Sequence, residues 1–227
     1  MSGLSPMMRH YLETKEKYKD CILFYRLGDF YEMFFEDAKE VSQLLDLTLT
    51  GRDCGLEERA PMCGVPYHAA DTYIAKLVAL GKKVAICEQL TEPTPGKGIV
   101  ERDVIRVVSA GTLIEENLLD EKKNNYIACV CMENGDCAVS WADITTGEFN
   151  VRVFGGADAV GESLECLTKL AVAEVICNDA YLLATKGAAA LRALPPFSCY
   201  MPWAFAQRHA EKNLFEQFGC KTLAPFG

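Results

Sequence analysis

An aromatic-rich apolar stretch at residues 21–35 constrains the fold of this chain more than any other segment. Residues 21–27 have the length and the apolar, aromatic composition that are typical of a β-strand. Gly28 and Asp29 interrupt the pattern, and it resumes at residues 30–34. The sequence therefore predicts two consecutive strands separated by a short break. If the second segment is extended, its first and third side chains lie on one face, about 7 Å apart along the strand.

These two side chains, Phe30 and Glu32, combine a flat apolar ring with a hydrogen-bonding carboxylate. On an exposed surface, such a pair could insert beside a base from the DNA minor groove, unstack the step and bond the edge of the base. The alternative is that Phe30 belongs to the hydrophobic core and that Glu32 is simply solvated. The pattern taken alone favours this second interpretation.

Four motifs occur in the first half of the chain, Gly-Asp-Phe-Tyr-Glu at 28–32 and the segments at 60–69, 84–89 and 100–112. Together and in this order, they resemble the MutS family of bacterial DNA mismatch repair proteins. The sequence Gly-Asp-Phe-Tyr-Glu at 28–32 resembles the mismatch-recognition motif of that family. The last of the four motifs has Ala110 where the family commonly has proline. Several ordered motifs are far more specific than one pentapeptide. The chain is therefore identified as a member of this family, with close similarity in its first half and looser similarity beyond.

The resemblance implies an α/β protein with two domains. A mixed-sheet mismatch-recognition domain is expected at residues 1–115, a linker at 116–125 and an RNase H-like connector domain at 126–227. The connector is expected to be incomplete, which would make the chain a fragment of a longer protein. The pattern of the second half agrees with three strands, a helix and a fourth strand, at residues 126–132, 137–143, 148–154, 160–170 and 174–177. Asn134-Gly135 between the first two strands is a strong hairpin signal.

Three local predictions concern the segments that follow the aromatic stretch. The alternation of residues 47–50 predicts a short strand. Residues 51–59 have the composition of a charged, glycine-punctuated loop. Residues 64–67 predict a turn that leads into a helix at about 71–80.

The resemblance implies that Phe30 stacks on a mispaired or unpaired base from the minor groove and that Glu32 hydrogen-bonds that base. A mismatch lowers the cost of unstacking and bending, so a wedge discriminates by the energy of the deformed step. Four further candidate DNA-binding residues fall in family segments near the DNA: Arg52, Met62, Tyr67 and Gln89. The first of these could meet a phosphate, whereas the other three could equally be packing or turn residues.

The charge of the chain is unfavourable for binding DNA. The net charge is −9, with 14 basic and 17 acidic residues at positions 1–114 and 9 basic and 15 acidic residues in the remainder. Neutralisation of phosphates supplies most non-specific affinity for duplex DNA. We therefore expect the chain alone to hold DNA poorly, with most phosphate contacts supplied from elsewhere.

The resemblance also implies the partners of the protein. It implies a homodimer in which only one subunit inserts its wedge, and a MutL-type partner that docks partly on the connector. It further implies an ATPase that uses ATP and Mg²⁺ in a C-terminal part outside this chain. The chain itself would bind mismatched double-stranded DNA and would have no catalytic site and no cofactor of its own.

Three other functions are open at the level of the sequence. The acidic balance and the exposed loops suit a protein-interaction adaptor without a direct DNA role. A nuclease of the RNase H type needs a cluster of carboxylates around two metal ions, and Asp143 and Glu148 have no obvious third partner. A small-molecule enzyme that uses a cysteine would need a thiol of low pKa.

The eleven cysteines are scattered, and the three histidines do not complete a zinc site. Buried free thiols in a reducing compartment are the expected state of these cysteines. The sequence contains no run of about 18 apolar residues, and its start has no signal-peptide pattern. We therefore expect a soluble, cytoplasmic protein that makes no contact with a membrane.

Overall fold

The computed structural model describes residues 3–55, 57–91, 100–114 and 123–224. The chain divides into two compact units, Met1–Leu119 and Asp120–Gly227. Most of the predicted linker at residues 116–125 lies outside the described residues. None of the helices in the described part is both long and apolar enough to span a membrane.

The first unit is built on one mixed β-sheet. Its helices and strands are α1 (Pro6–Lys17), β1 (Cys21–Leu27), β2 (Phe30–Phe34), α2 (Phe35–Leu45), β3 (Thr50–Arg52), β4 (Ala60–Pro66), α3 (Ala70–Ala79), β5 (Lys83–Gln89) and β6 (Arg102–Val108). The strand order is β3-β4-β2-β1-β5-β6. Strands β1 and β5 are parallel, and the other neighbouring pairs are antiparallel. The expected mixed-sheet α/β fold is thereby confirmed for this unit.

Alternation along the strands gives this sheet two buried faces. Ile22, Phe24 and Met33 belong to a hydrophobic cluster that also contains residues of α2 and α3. Leu23 and Tyr25 belong to a second cluster, which contains residues of α1. The unpatterned apolar run of β1 follows from this arrangement, because both faces of the strand are covered by helices.

A buried carboxylate joins α1, β1 and α2. Asp37, in the first turn of α2, is buried and lies 2.9 Å from the Lys15 ammonium of α1. Its Oδ2 accepts hydrogen bonds from the backbone N–H of Leu23 at 2.9 Å and from the Tyr11 hydroxyl at 3.4 Å. Burial, together with the Asp37 charge, holds the pKa of Tyr11 well above its ordinary value. The hydroxyl therefore remains a donor, and the network ties the two faces of the sheet together.

The second unit has one sheet of five strands. Its helices and strands are β7 (Tyr126–Glu133), β8 (Asp136–Asp143), β9 (Glu148–Phe154), α4 (Ala159–Leu170), β10 (Glu174–Cys177), α5 (Asp179–Ala184), β11 (Phe197–Cys199) and α6 (Gln207–Phe218). The order is β11-β10-β7-β8-β9, with an antiparallel β7-β8-β9 meander and with β10 parallel to both β7 and β11. Asn134 and Gly135 both have positive φ, as a tight hairpin turn requires. This is the RNase H-like α/β arrangement predicted for the second half.

The two acidic residues considered for a nuclease site serve the hairpin between β8 and β9. Oδ1 of Asp143 accepts hydrogen bonds from the backbone N–H and the hydroxyl of Thr145, at 2.9 and 2.6 Å, and Oδ2 accepts from the N–H of Asn125 at 3.0 Å. Glu148 accepts a hydrogen bond from the hydroxyl of Tyr126 at 2.9 Å. Among the described residues, no group of three or more His, Cys, Asp or Glu side chains could hold a metal ion. The two carboxylates considered for a nuclease site are thus engaged in contacts around the hairpin.

The Asp143 contacts predict how the stability of the second unit depends on pH. Burial alone would raise the pKa of Asp143, but hydrogen bonds from Thr145, Asn125 and Thr146 outweigh it and hold the pKa below its ordinary value. A carboxyl with a lowered pKa in the folded state stabilises the fold above its unfolded pKa and loses that contribution as the pH falls through the folded value. Stability should therefore decline below about pH 4. Acid unfolding followed by tryptophan fluorescence measures the decline.

The matched variant is Asp143→Asn, which keeps the side-chain shape but lacks the titrating group. It should be less stable than the wild type at pH 7 and should lose less stability on acidification. Equal acid dependence of the two proteins would show that Asp143 does not carry the effect.

The cysteines are all free, and most of them are buried. Burial raises the pKa of Cys87 and Cys177 to about 12 and that of Cys63 to about 11. A thiol reacts as its thiolate, so raised pKa values make these groups poor nucleophiles at neutral pH. The structure therefore offers no support for an enzyme that depends on one of these thiols.

Candidate nucleic-acid interface

Phe30 lies exposed at the start of β2. Its side chain is 46% exposed, whereas the next residue, Tyr31, and Met33 are buried. Phe30 is opposite Leu27 of β1 on one side and Pro66 of β4 on the other. Phe30 is thus not a core residue, and the interpretation that the sequence pattern alone favoured is wrong for this side chain.

The turn that precedes Phe30 is held from two sides. Gly28 has a φ of +59°, a conformation that a residue without Cβ adopts at little cost. The carbonyl of Gly28 accepts a hydrogen bond from Nε of Arg26, and the carbonyl of Asp29 accepts one from the N–H of Tyr67 at 2.9 Å. The backbone that carries the exposed ring is therefore fixed on both sides of the turn.

Arg26 is the centre of a cluster that sequence reasoning missed. Its guanidinium carbon lies 3.8 Å from the ring centroid of Tyr67 and 5.5 Å from that of Tyr31, and its Nη1 lies 3.5 Å from Oε1 of Glu88. The Tyr31 hydroxyl donates to the same Glu88 oxygen. Burial and this hydrogen bond raise the pKa of Tyr31. A cation inside the otherwise apolar strand β1 was the one available signal for this cluster.

Glu32 is held by Arg52. The Glu32 side chain is only 14% exposed, and its Oε2 accepts a hydrogen bond from Nη1 of Arg52. In the sheet, Glu32 lies between Tyr25 of β1 and Gly64 of β4. A Cβ at Gly64 would lie 3.2 Å from the Tyr31 carbonyl oxygen and 3.5 Å from Cγ of Glu32. The tight contact of such a Cβ would be with the backbone and not with the Glu32 side chain. Because it is mostly buried and paired with Arg52, Glu32 is not the simply solvated side chain of the alternative interpretation.

The structure corrects three local predictions near this site. Arg52 is the last residue of β3, which pairs with β4 through Thr50–Arg52, so the predicted loop at 51–59 is wrong at its start. The strand predicted at 47–50 is wrong except for its last residue. The turn predicted at 64–67 is also wrong in its first three residues, because they complete β4.

The remaining candidates occupy different positions. Tyr67 begins a 3-10 helix, Tyr67–Ala69, directly after β4 and is exposed beside the turn. Gln89 is the half-buried last residue of β5 and pairs with Arg102 of β6. Met62 lies between Phe34 and Thr50 and contacts the hydrophobic cluster under α1. Tyr67 is thus close to the exposed ring, whereas the contacts of Met62 are those of a packing residue.

In the described part of the first unit, the arginines near the exposed ring offer little free positive charge. The side chain of Arg26 is 17% exposed and that of Arg52 is 39% exposed, and each lies beside a carboxylate. Arg102 is buried, and its guanidinium donates to the backbone carbonyls of Arg26 and Val100, both at 2.9 Å. These arginines therefore hold the sheet and its turn together and provide few free donors for phosphates.

The fold and the site define a class of protein with two consecutive α/β domains. The first presents an aromatic ring beside a paired carboxylate, and the second is an RNase H-like domain. The family model described as MutS domain I matches residues 5–117, and the one described as MutS domain II matches residues 125–227. The chain belongs to the MutS family, which confirms the resemblance drawn from the four motifs.

Two relatives show the extent of the similarity. The DNA mismatch repair protein MutS of Clostridium botulinum (strain Hall) is 57% identical over 177 residues, which cover 78% of this chain and 19% of the relative. The DNA mismatch repair protein MutS of Acetivibrio thermocellus is 52% identical over 181 residues, which cover 80% of this chain and 21% of the relative. The chain thus spans about a fifth of the length of the curated relatives it matches.

Proposed function

We propose that this chain is the mismatch-recognition part of a DNA mismatch repair protein and that it binds mispaired or unpaired bases in duplex DNA. Phe30 enters the minor groove as a wedge, and Glu32 hydrogen-bonds the base on which the ring stacks. The observation that carries the proposal is the exposure of Phe30 on a turn that is held from both sides.

The chemistry of such a wedge is discrimination by deformability. Unstacking a base step costs a few kcal/mol in normal duplex and less at a mismatched base. A ring held in a fixed position therefore inserts more readily where the pairing is already defective. Glu32 adds a directional acceptor beside the ring, and Tyr67 and Gln89 are proposed to lie near the DNA backbone. Met62 is proposed to support this surface from within the domain, because it packs against the hydrophobic cluster under α1.

The wider setting is part of the same proposal. The acidic charge of the chain supports a protein in which other segments or a second subunit provide most phosphate contacts. We propose a homodimer with one inserted wedge, an ATP- and Mg²⁺-dependent ATPase elsewhere in the protein, and a MutL-type partner on the connector. In this scheme the present domains bind DNA without catalysing a reaction, and the protein is cytoplasmic.

The proposal is tested by fluorescence anisotropy of the intact protein on three duplexes at one salt concentration. The duplexes are a perfect duplex, one with a G·T mismatch and one with a single-base bulge. We expect tighter binding to the two defective duplexes, because the wedge pays less to unstack them. Equal affinity for all three would overturn the proposed function.

One observation favours a second function, that of a protein-interaction adaptor. Phe149, Val151 and Val153 of the edge strand β9 are exposed and alternate along the strand, so they form an apolar row on one face. Exposed apolar patches of this kind mark interaction surfaces. A protein that binds the three duplexes alike would make the adaptor the leading interpretation.

A further inference from the structure

The carboxylate of Glu32 presents an electrostatic problem for a residue that approaches DNA. Phosphates repel it, and this repulsion weakens binding to every duplex. In the structure, Arg52 supplies the compensating charge: it donates from Nη1 to Oε2 of Glu32. Among the described residues, the other carboxylate oxygen, Oε1, accepts no hydrogen bond.

We infer that Arg52 is a positioning residue for Glu32, which offsets the charge of the carboxylate and leaves Oε1 free to accept a hydrogen bond from the base. This inference deepens the proposed function and rests on it. The carboxylate then meets the base with one oxygen already occupied, so the base must offer a donor to the other. Arg52 thereby influences the preference for a defective duplex over a perfect one, and it does so through its effect on Glu32.

The surroundings of the pair support this assignment. An ion pair on an open surface contributes little to stability, but the Glu32 side chain is mostly buried while that of Arg52 remains 39% exposed. The carboxylate therefore has limited freedom to turn toward water. Gly64 of β4 lies directly opposite Glu32 in the sheet, so the carboxylate is flanked by backbone on that side. Arg52 approaches from β3, so the pair also joins the edge strand to β2 across β4.

The alternative role for Arg52 is a direct contact with a phosphate. A guanidinium has five N–H donors, so the bond to Glu32 does not by itself prevent such a contact. The two roles differ in what they affect. A phosphate contact strengthens binding to all duplexes about equally and adds about one unit to the salt dependence of the binding constant. A positioning role affects the preference for the defective duplex and requires Glu32.

A double-mutant cycle on the intact protein separates the two roles. The proteins are wild type, Arg52→Gln, Glu32→Gln and the double variant, measured by anisotropy on the perfect and G·T duplexes at several salt concentrations. We expect Arg52→Gln to reduce the preference for G·T by about 2- to 10-fold, in the range of coupling between residues in contact. In the Glu32→Gln background the same change should have no further effect on the preference. Arg52→Lys, which keeps the positive charge, should retain part of the preference for G·T that Arg52→Gln loses.

The control is Arg59→Gln, which removes one exposed positive charge from the segment that follows β3. It should leave the preference for G·T unchanged.

The inference is overturned if Arg52→Gln weakens binding to both duplexes equally, lowers the salt slope by about one unit and has an effect that is additive with that of Glu32→Gln. A wild type that binds both duplexes alike would overturn the proposed function and the inference with it. Preference in the wild type with an additive cycle would overturn the inference alone.

Discussion

Phe30→Ala should remove most of the preference for a G·T or bulged duplex while preserving the weaker binding to perfect duplex. Stacking of an aromatic side chain on a base is worth about 1–3 kcal/mol, so the preference should fall by about 5-fold or more. The perfect duplex should be affected little, because the cost of unstacking it largely cancels the stacking gained. Anisotropy on the three duplexes at one salt concentration measures both affinities.

The matched control is Phe149→Ala, since Phe149 is a similarly exposed phenylalanine in the second unit. Its removal should leave the preference intact. Circular dichroism of both variants checks that each remains folded. If Phe30→Ala retains the wild-type preference, the exposed ring has no part in recognition, and the wedge would have to be abandoned.

Asp37→Ala should destabilise the first unit by about 3 kcal/mol, because it leaves the Lys15 ammonium and the Leu23 N–H without their shared acceptor in a mostly buried position. The loss should appear as an approximately hundredfold fall in hydrogen-exchange protection of the β1 amides, with Leu23 among the most affected. The amides of the second unit should exchange as they do in the wild type if the two units unfold independently.

Glu36→Ala is the control for this change. Glu36 precedes Asp37 in the same helical turn, but its side chain is 84% exposed and pairs with Lys39 at the surface. Exposed ion pairs of this kind contribute little to the free energy of unfolding, so the hydrogen-exchange protection of the β1 amides should hardly change. Similar losses in the two variants would point to a general effect of charge at the start of α2 and would contradict the role given to the buried carboxylate.

Local sequence patterns predicted those strands and turns whose conformation depends mainly on their own residues. The apolar run of β1 is continuous because the strand is covered on both faces, and Gly28-Asp29 marks the turn that follows. In the second unit, Asn134-Gly135 defines the first hairpin of the meander, because both residues tolerate positive φ. Period-two alternation also placed Phe30 and Glu32 on one face without knowledge of the rest of the sheet.

Elements that depend on distant partners could not be predicted in this way. Strand β3 has only three residues, and it is a strand because it pairs with β4, which comes later in the sequence. The pair between Arg52 and Glu32 crosses 20 positions of sequence, and that between Arg26 and Glu88 crosses 62. Phe35 has a φ of +53°, which is unusual for an aromatic residue and has no sequence signal. Burial likewise depends on the whole fold, so the exposure of Phe30 required the structure.

The contacts that hold the Gly28-Asp29 turn have a consequence for the kinetics of the proposed recognition. Because the turn is already ordered, engaging a duplex requires no prior folding of the loop and incurs little loss of conformational entropy. Preformed surfaces that differ by one contact usually associate at similar rates and dissociate at different ones. Perfect and defective duplexes should then be encountered equally often, and the lifetime of the complex would distinguish a correct base pair from a wrong one.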